Sequence, residues 1–249
     1  IVDRREAGIE PARLTNIETP MTRVRTRTHT PLRQVWQAIA HEHRARSFLG
    51  LVLMLTQAFF YNAIFFTYPL VLMKFYGVPP ERAGLYLVPF ALGNVLGPFV
   101  IGHLFDTIGR KPMITATYLL SGILLALTGW LFQAGLLDAR TQTLAWMVIF
   151  FIASAAASSA YLTVSEIFPL EIRAFAIALF YAVGTLAGGA AAPVLFGWII
   201  GTGSRKGLFA GYLVGAVLMI IGGLTEAWIG VAAEGRSLES IAAPLSSRE

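Results

Sequence analysis

The sequence predicts an all-α membrane protein with six transmembrane helices, and three observations carry that prediction. Six apolar runs each approach the ~20 residues needed to cross a hydrocarbon core. Only 13% of the 249 residues are charged and the mean hydropathy is +0.66, whereas a soluble domain carries roughly 25% charged residues. The connectors between runs are short. Backbone groups in lipid have to be satisfied internally, so runs of this length form helices.

Residues 1–46 are polar, arginine-rich and irregular, with Pro11, Pro20 and Pro31 as breaks. One stretch, near 31–45, reads as an amphipathic helix. Thr30 can cap it, and Pro31 suits its first position, where a missing N–H costs nothing. Leu32, Val35, Trp36 and Ile39 recur at helical spacing opposite Arg33, Gln34 and Gln37. A tryptophan on such a face suits the membrane interface; packing against the protein's own loops is the alternative. The six runs lie at about 47–73, 82–104, 112–133, 142–165, 174–200 and 207–231. The expected organisation is therefore a cytoplasmic segment over 1–46, a six-helix domain over 47–231 and a cytoplasmic tail over 232–249.

Charge is segregated. Nine of the 19 bases precede Ser47, so the net charge of +5 describes loops beside anionic headgroups and no nucleic-acid partner is expected. With the N-terminus inside, inner segments hold 14 bases and outer segments five, namely Lys74, Arg82, Arg140, Arg205 and Lys206. That bias puts both termini in the cytoplasm, and the expected location is the plasma (inner) membrane. There is no cysteine for a disulfide or a thiolate metal site.

The first run contains two amides, Gln57 and Asn62, which belong on the bundle interior or a wet cavity. At about 100° per residue, Gln57, Tyr61 and Tyr68 share one face with Phe65 at its edge, while Asn62 lies about 140° from Gln57. Either the polar stripe is broad or the helix bends, and Pro69 supplies a cause by freeing the carbonyl of Phe65. An amide offers donors and acceptors together, which suits hydroxyls and carboxylates of small solutes. Bonding to a neighbouring helix, at about 0.6 kcal/mol, is the other use. The candidate solute contacts are Gln57, Asn62, Tyr61 and Phe65.

Two charged connectors stand out. GHLFDTIGRKP, from Gly102 to Pro112, is clamped between the second and third runs, and SEIFPLEIR, from Ser165 to Arg173, lies between the fourth and fifth. The first resembles the loop signature of the major facilitator superfamily at Gly102, Asp106, Gly109, Arg110 and Lys111, departing at Thr107 where the family has a base. The second resembles the Glu-x-Phe-Pro-x-x-x-Arg stretch of sugar porters and related proton symporters in that superfamily, through Glu166, Phe168, Pro169 and Arg173. Gln57 and Asn62 also align with two amides of the sugar-porter seventh helix, although its glycine is Phe60 here and its paired tyrosines are Phe66 and Thr67. The tail echoes the family's closing acidic segment through Ser237, Leu238, Glu239 and Ile241.

The resemblance implies that residues 47–245 form the C-terminal six-helix half of a twelve-helix major facilitator fold. Because the chain opens with Ile1, it reads as a fragment whose partner is a missing N-terminal six-helix half. The resemblance further implies secondary active transport of a small polar solute, a sugar or organic acid, by alternating access between two halves, with a proton as the expected driving ion. Gly102, Asp106, Gly109, Arg110, Lys111, Glu166 and Arg173 would form a conformational gate, its charges locking the outward-open state. Both connectors fall on one side of the membrane by alternation, so opposite charges there can hold the helix ends together; anchoring at headgroup level is the plainer role.

Other signals read as packing. The fifth run carries Gly184, Gly188, Gly189, Pro193 and Gly197, and the fourth carries Ala153, Ala157 and Ala160, small faces that let helices approach. Glu226, the one acid inside a run, lies near its end and can snorkel out. An enzyme is not expected, because His29, His41 and His43 precede the runs and His103 sits at a run end. HEH at 41–43 lacks zinc spacing, and GTGSRKG at 201–207 lacks phosphate-loop spacing. No cofactor and no metal are expected. The rival class is a non-transporting six-helix scaffold, which would explain the small faces but not the two connectors.

Overall fold

The computed structural model describes residues 31–232 and 241–245. Among these it is helical, with six helical units long and apolar enough to cross a membrane. Span 1 (Arg44–Tyr76) is α2, Arg44–Phe65, and α3, Tyr68–Tyr76. Span 2 (Pro80–Thr107) begins with a short α4, Pro80–Ala83, and continues as α5, Leu87–Thr107. Spans 3 and 4 are α6, Arg110–Gln133, and α7, Ala139–Ile167. Span 5 (Leu170–Gly201) is α8, Leu170–Gly184, a π-helical turn over Thr185–Ala190, and α9, Ala191–Gly201. Span 6 is α10, Arg205–Ile229.

The breaks have local causes. Pro69 cannot donate to the carbonyl of Phe65, and the first span interrupts at Phe66–Thr67 before restarting. The connector between spans 2 and 3 turns at Gly109, with φ +115 and ψ 149, a conformation closed to residues bearing a Cβ. Asp138 caps span 4 by accepting from the Thr141 amide at 2.7 Å, while the Thr141 hydroxyl accepts from the Asp138 amide at 2.9 Å. Hydrogen bonds from the Thr141 amide and then its hydroxyl hold the Asp138 carboxyl below its ordinary range.

Span 1 runs through the bundle against spans 4, 5 and 6, while span 2 lies along span 4 and span 3 along span 6. The closest approach comes at Gly93 and Gly97 of span 2, where a methyl group would overlap the carbonyls of Met147 and Phe151. In span 5, Gly184 and Gly188 sit against the backbone of span 1, but Gly197 faces open space. At one end Arg205 covers the Phe132 ring at 4.8 Å and donates to its carbonyl at 2.9 Å, tying span 6 to span 3.

Ahead of span 1, α1 (Leu32–Gln37) runs into a π-helical stretch, Ala38–Glu42. Pro31 flanks this helix rather than opening it, and Thr30 lies outside the described residues. The apolar positions divide: Val35 and Ile39 are buried with Ala38, while Leu32 and Trp36 face outward. Ser237, Leu238 and Glu239 also fall outside the described residues, although Ile241 and Leu245 are seen packed against the bundle.

Candidate functional site

A cavity of about 470 Å³ opens among spans 1, 2, 4 and 5, within the size range of small-molecule sites. Span 1 supplies Gln57, Tyr61 and Asn62 to its wall. The amides therefore share one chamber, because the lining arc of α2 is broad; the bend at Phe66–Thr67 comes after both. Gln57 is buried and donates from Nε2 to the carbonyl of Ala153 at 3.3 Å, leaving Oε1 without a partner among the described residues. Asn62 donates from Nδ2 to its own helix, at the Ala58 carbonyl, 2.7 Å away.

Phe65 is a correction. It packs edge-on against Phe90, 5.3 Å between ring centres, and its neighbour Phe66 reaches the cavity instead. Phe65 is still within α2, so it leaves the chamber wall through its packing on Phe90 and not through the interruption that follows it. Tyr68, placed on the same face by the wheel, is drawn away to Thr143 at 2.7 Å.

The remaining wall was missed. Asn94 of span 2 accepts a hydrogen bond from the Tyr61 hydroxyl at 2.7 Å. Span 4 contributes Ser154, Ser158 and Tyr161, and span 5 contributes Tyr181 and Thr185. Asn94 carried the same signal as Gln57, an amide inside an apolar run. Ala157 and Ala160, read as packing residues, also line the cavity; small side chains here leave space rather than fill it. Among the described residues, no Asp, Glu, Lys, Arg or His lines the chamber.

A second cavity, about 210 Å³, adjoins the first through Pro98 and Ser158 and reaches the charged connectors at Gly102, Asp106 and Arg110. There Arg110 is paired with Glu166 across spans 3 and 4, with side chains 18% and 14% exposed. Asp106 stands 3.7 Å from Arg110 but is 74% exposed. Arg173 does not join: among the described residues it forms no ion pair and donates from Nη2 to the Phe168 carbonyl at 3.4 Å. Lys111 is in none of the ion pairs seen among the described residues. Glu226 does not snorkel; it is fully buried, and among the described residues neither carboxylate oxygen has a hydrogen-bond partner.

One base counted only for its charge has a structural task. Arg46, at the start of span 1, donates to the carbonyl of Ile167 at 2.6 Å and to that of Ile241 at 2.9 Å. Leu245 in turn donates its amide to Glu171 at 3.0 Å. The end of span 4, the start of span 5 and the tail are thereby drawn to span 1.

A family model described as Major Facilitator Superfamily matches residues 22–246. Among curated proteins, none matches the chain.

Proposed function

The chain belongs to the major facilitator superfamily, and from that premise we propose that it carries a small polar solute by alternating access through the cavity among spans 1, 2, 4 and 5. The superfamily comprises transporters rather than enzymes, so the chain is an integral membrane protein of transmembrane transport. In the finer reading it is the C-terminal half of a twelve-helix carrier, with both termini in the cytoplasm of the plasma (inner) membrane and a proton as the driving ion.

The observation that carries this is the cavity itself, a polar chamber inside an apolar bundle. Amides and hydroxyls are costly against lipid unless something bonds them, and here they converge. Burial supports a partner half. Only 17% and 28% of the apolar cores of spans 2 and 5 are buried, against 44–56% for the other four, and both of these spans border the chamber. Rocking of two halves about a midplane site would expose it to each side in turn, with Arg110 and Glu166 closing the side that bears the two charged connectors.

Orientation is open to direct measurement because the sequence has no cysteine to give a background. A single cysteine at exposed Thr107 should react with impermeant thiol reagents only from the cytoplasmic side, and one at exposed Glu81 only from outside. The reverse pattern would overturn both the orientation and the gate.

The site is tested by alanine substitution in the native protein. Asn62→Ala removes a group that among the described residues bonds only within its own helix, so solute affinity should fall while thermal stability holds. Gln57→Ala also breaks a bond to span 4 and should lower both. A contact left unmade costs on the order of 1–3 kcal/mol, or roughly a five- to 150-fold loss of affinity. Unchanged affinity in both variants would remove the solute from this cavity.

A further inference from the structure

We infer that the Glu226 carboxyl is a proton-binding site outside the central cavity, and that its occupancy resets the cavity through span 1. The inference rests on the reading of that cavity as the solute site and adds a second ligand, the proton, at a place of its own.

Among the described residues no carboxyl or imidazole lines the cavity, so the wall offers a proton no such group to bind. Of the acids elsewhere, Asp106 is 74% exposed and Glu166 is paired with Arg110. Glu226 is fully buried, and among the described residues neither of its oxygens has a hydrogen-bond partner. A bare carboxylate in such a place is far costlier than a neutral acid, and an ionisable group inside a span marks an ion path.

Spans 3 and 6 run antiparallel, in a register fixed by Gly129 against Tyr212 and Gly222 against Tyr118. Gly222 lies one turn before Glu226 on the same face. A methyl group there would meet the Tyr118 ring at 2.8 Å and the Thr56 hydroxyl at 3.0 Å. Carried one turn on, the register sets Glu226 at the level of Thr115, whose hydroxyl is buried without a partner among the described residues. Lys111 falls at the level of Gly230, the helix end. Span 1 has no titratable side chain between Arg46 and Tyr61, and Arg46 is spent on the carbonyls of Ile167 and Ile241. With Arg110 held by Glu166, the groups that face the acid are Lys111 and Tyr118 of span 3.

Access and coupling follow from this placement. The carboxyl folds toward Gly230, where a methyl group would overlap it. A slight parting of spans 3 and 6 at that end admits water from the side of the charged connectors. Further in, the Tyr118 hydroxyl donates to the Leu53 carbonyl of span 1 at 3.1 Å. With Glu226 protonated, that bond stands. Loss of the proton leaves a carboxylate that competes for the same hydroxyl, and a hydrogen bond to a charged acceptor is roughly twice as strong as a neutral one. Span 1 then loses a tie to span 3 one turn before Gln57, which reaches the cavity wall.

Because the sequence has no cysteine, one bimane can be attached at Ala157→Cys on the cavity wall of the native protein in nanodiscs, with no solute present. Its emission should shift between about pH 5 and about pH 9, either side of neutrality. An infrared carbonyl band of a protonated carboxyl should fade over the same interval. Glu226→Gln keeps the shape and cannot ionise, so it should remove the band and hold the emission at its acidic value. Glu226→Asp should keep both responses with a displaced midpoint. Tyr118→Phe should keep the band and lose the emission shift; it serves if Glu226→Gln does not fold. A band and a shift that persist in Glu226→Gln, or the absence of both from the native side chain, would overturn the site. A band that depends on Glu226 with no emission shift would overturn the link to span 1. These outcomes stand apart from the solute test: unchanged affinity in Gln57→Ala and Asn62→Ala, beside a pH response that needs Glu226, would remove the solute from the cavity and leave the proton site.

Discussion

Replacing Gly97 with leucine is expected to destabilise the bundle by about 3 kcal/mol, the upper end for overpacking a filled interior, and to push span 2 off span 4. A Cβ at Gly97 overlaps the Phe151 carbonyl and the Ser154 hydroxyl, and one turn earlier Gly93 meets the Met147 carbonyl in the same way. The obstacles are largely backbone, which cannot swing aside as a long side chain can. Lipid offers no hydrophobic drive to hold helices together, so close packing is what such a pair relies on. Gly197→Ala is the control, since among the described residues nothing lies within 4 Å of its Cβ, and it should change stability by no more than about 0.5 kcal/mol. Thermal unfolding in detergent would read both. Equal midpoints for the two variants would mean that spans 2 and 4 are not in this register. Because Ser154 lines the cavity, Gly97→Leu should also lower solute affinity.

The second large effect is expected at Arg110. Arg110→Ala leaves Glu166 with 14% of its side chain exposed and no cation beside it, a loss of about 3–5 kcal/mol for a buried pair broken on one side. The double variant Arg110→Ala with Glu166→Gln should recover most of that loss, because no uncompensated charge remains. Asp106→Asn should cost no more than about 1 kcal/mol, as its carboxylate is 74% exposed at 3.7 Å from the guanidinium. If the gate reading holds, cysteines placed beside the second cavity also become more accessible in Arg110→Ala than in Asp106→Asn. Similar stability losses in the two single variants would mean that the pair is not desolvated.

The six spans were legible because length and hydropathy are fixed by the thickness of a bilayer, whatever the neighbours are. On the span 1 side of the cavity wall Gln57 and Asn62 were legible too, since an amide in an apolar run needs a partner, and Tyr61 followed from the wheel. Asn94 gave the same signal, but it stood alone in its run without a second amide or a motif to mark it. Which way each apolar side chain faces was not legible. Phe99 and Trp198 are 81% and 72% exposed while Phe90 and Trp146 are fully buried, and in lipid both fates suit a hydrophobe equally. A helical wheel gives faces relative to its own axis, so it set Phe65 at the edge of the polar face but could not see Phe90, against which the ring packs. Alternation of the spans put Arg110 and Glu166 on one side of the membrane, yet it could not rank them above Asp106 or detach Arg173, because that ranking depends on burial. Glu226 failed for the same reason: proximity to a helix end suggested water, and the packing of spans 3 and 6 removes it.

The lack of Asp, Glu, Lys, Arg and His on the chamber wall, among the described residues, has an electrical meaning. A charge carried through the full membrane field is worth about 2.3 kcal/mol per 100 mV. A wall of amides, hydroxyls and rings carries no such charge, so switching it from one face of the membrane to the other does almost no work against the voltage. An uncharged guest adds none. Any current that accompanies turnover would then be borne by the guest or by a co-transported ion and not by this wall, and electrophysiology would count that charge.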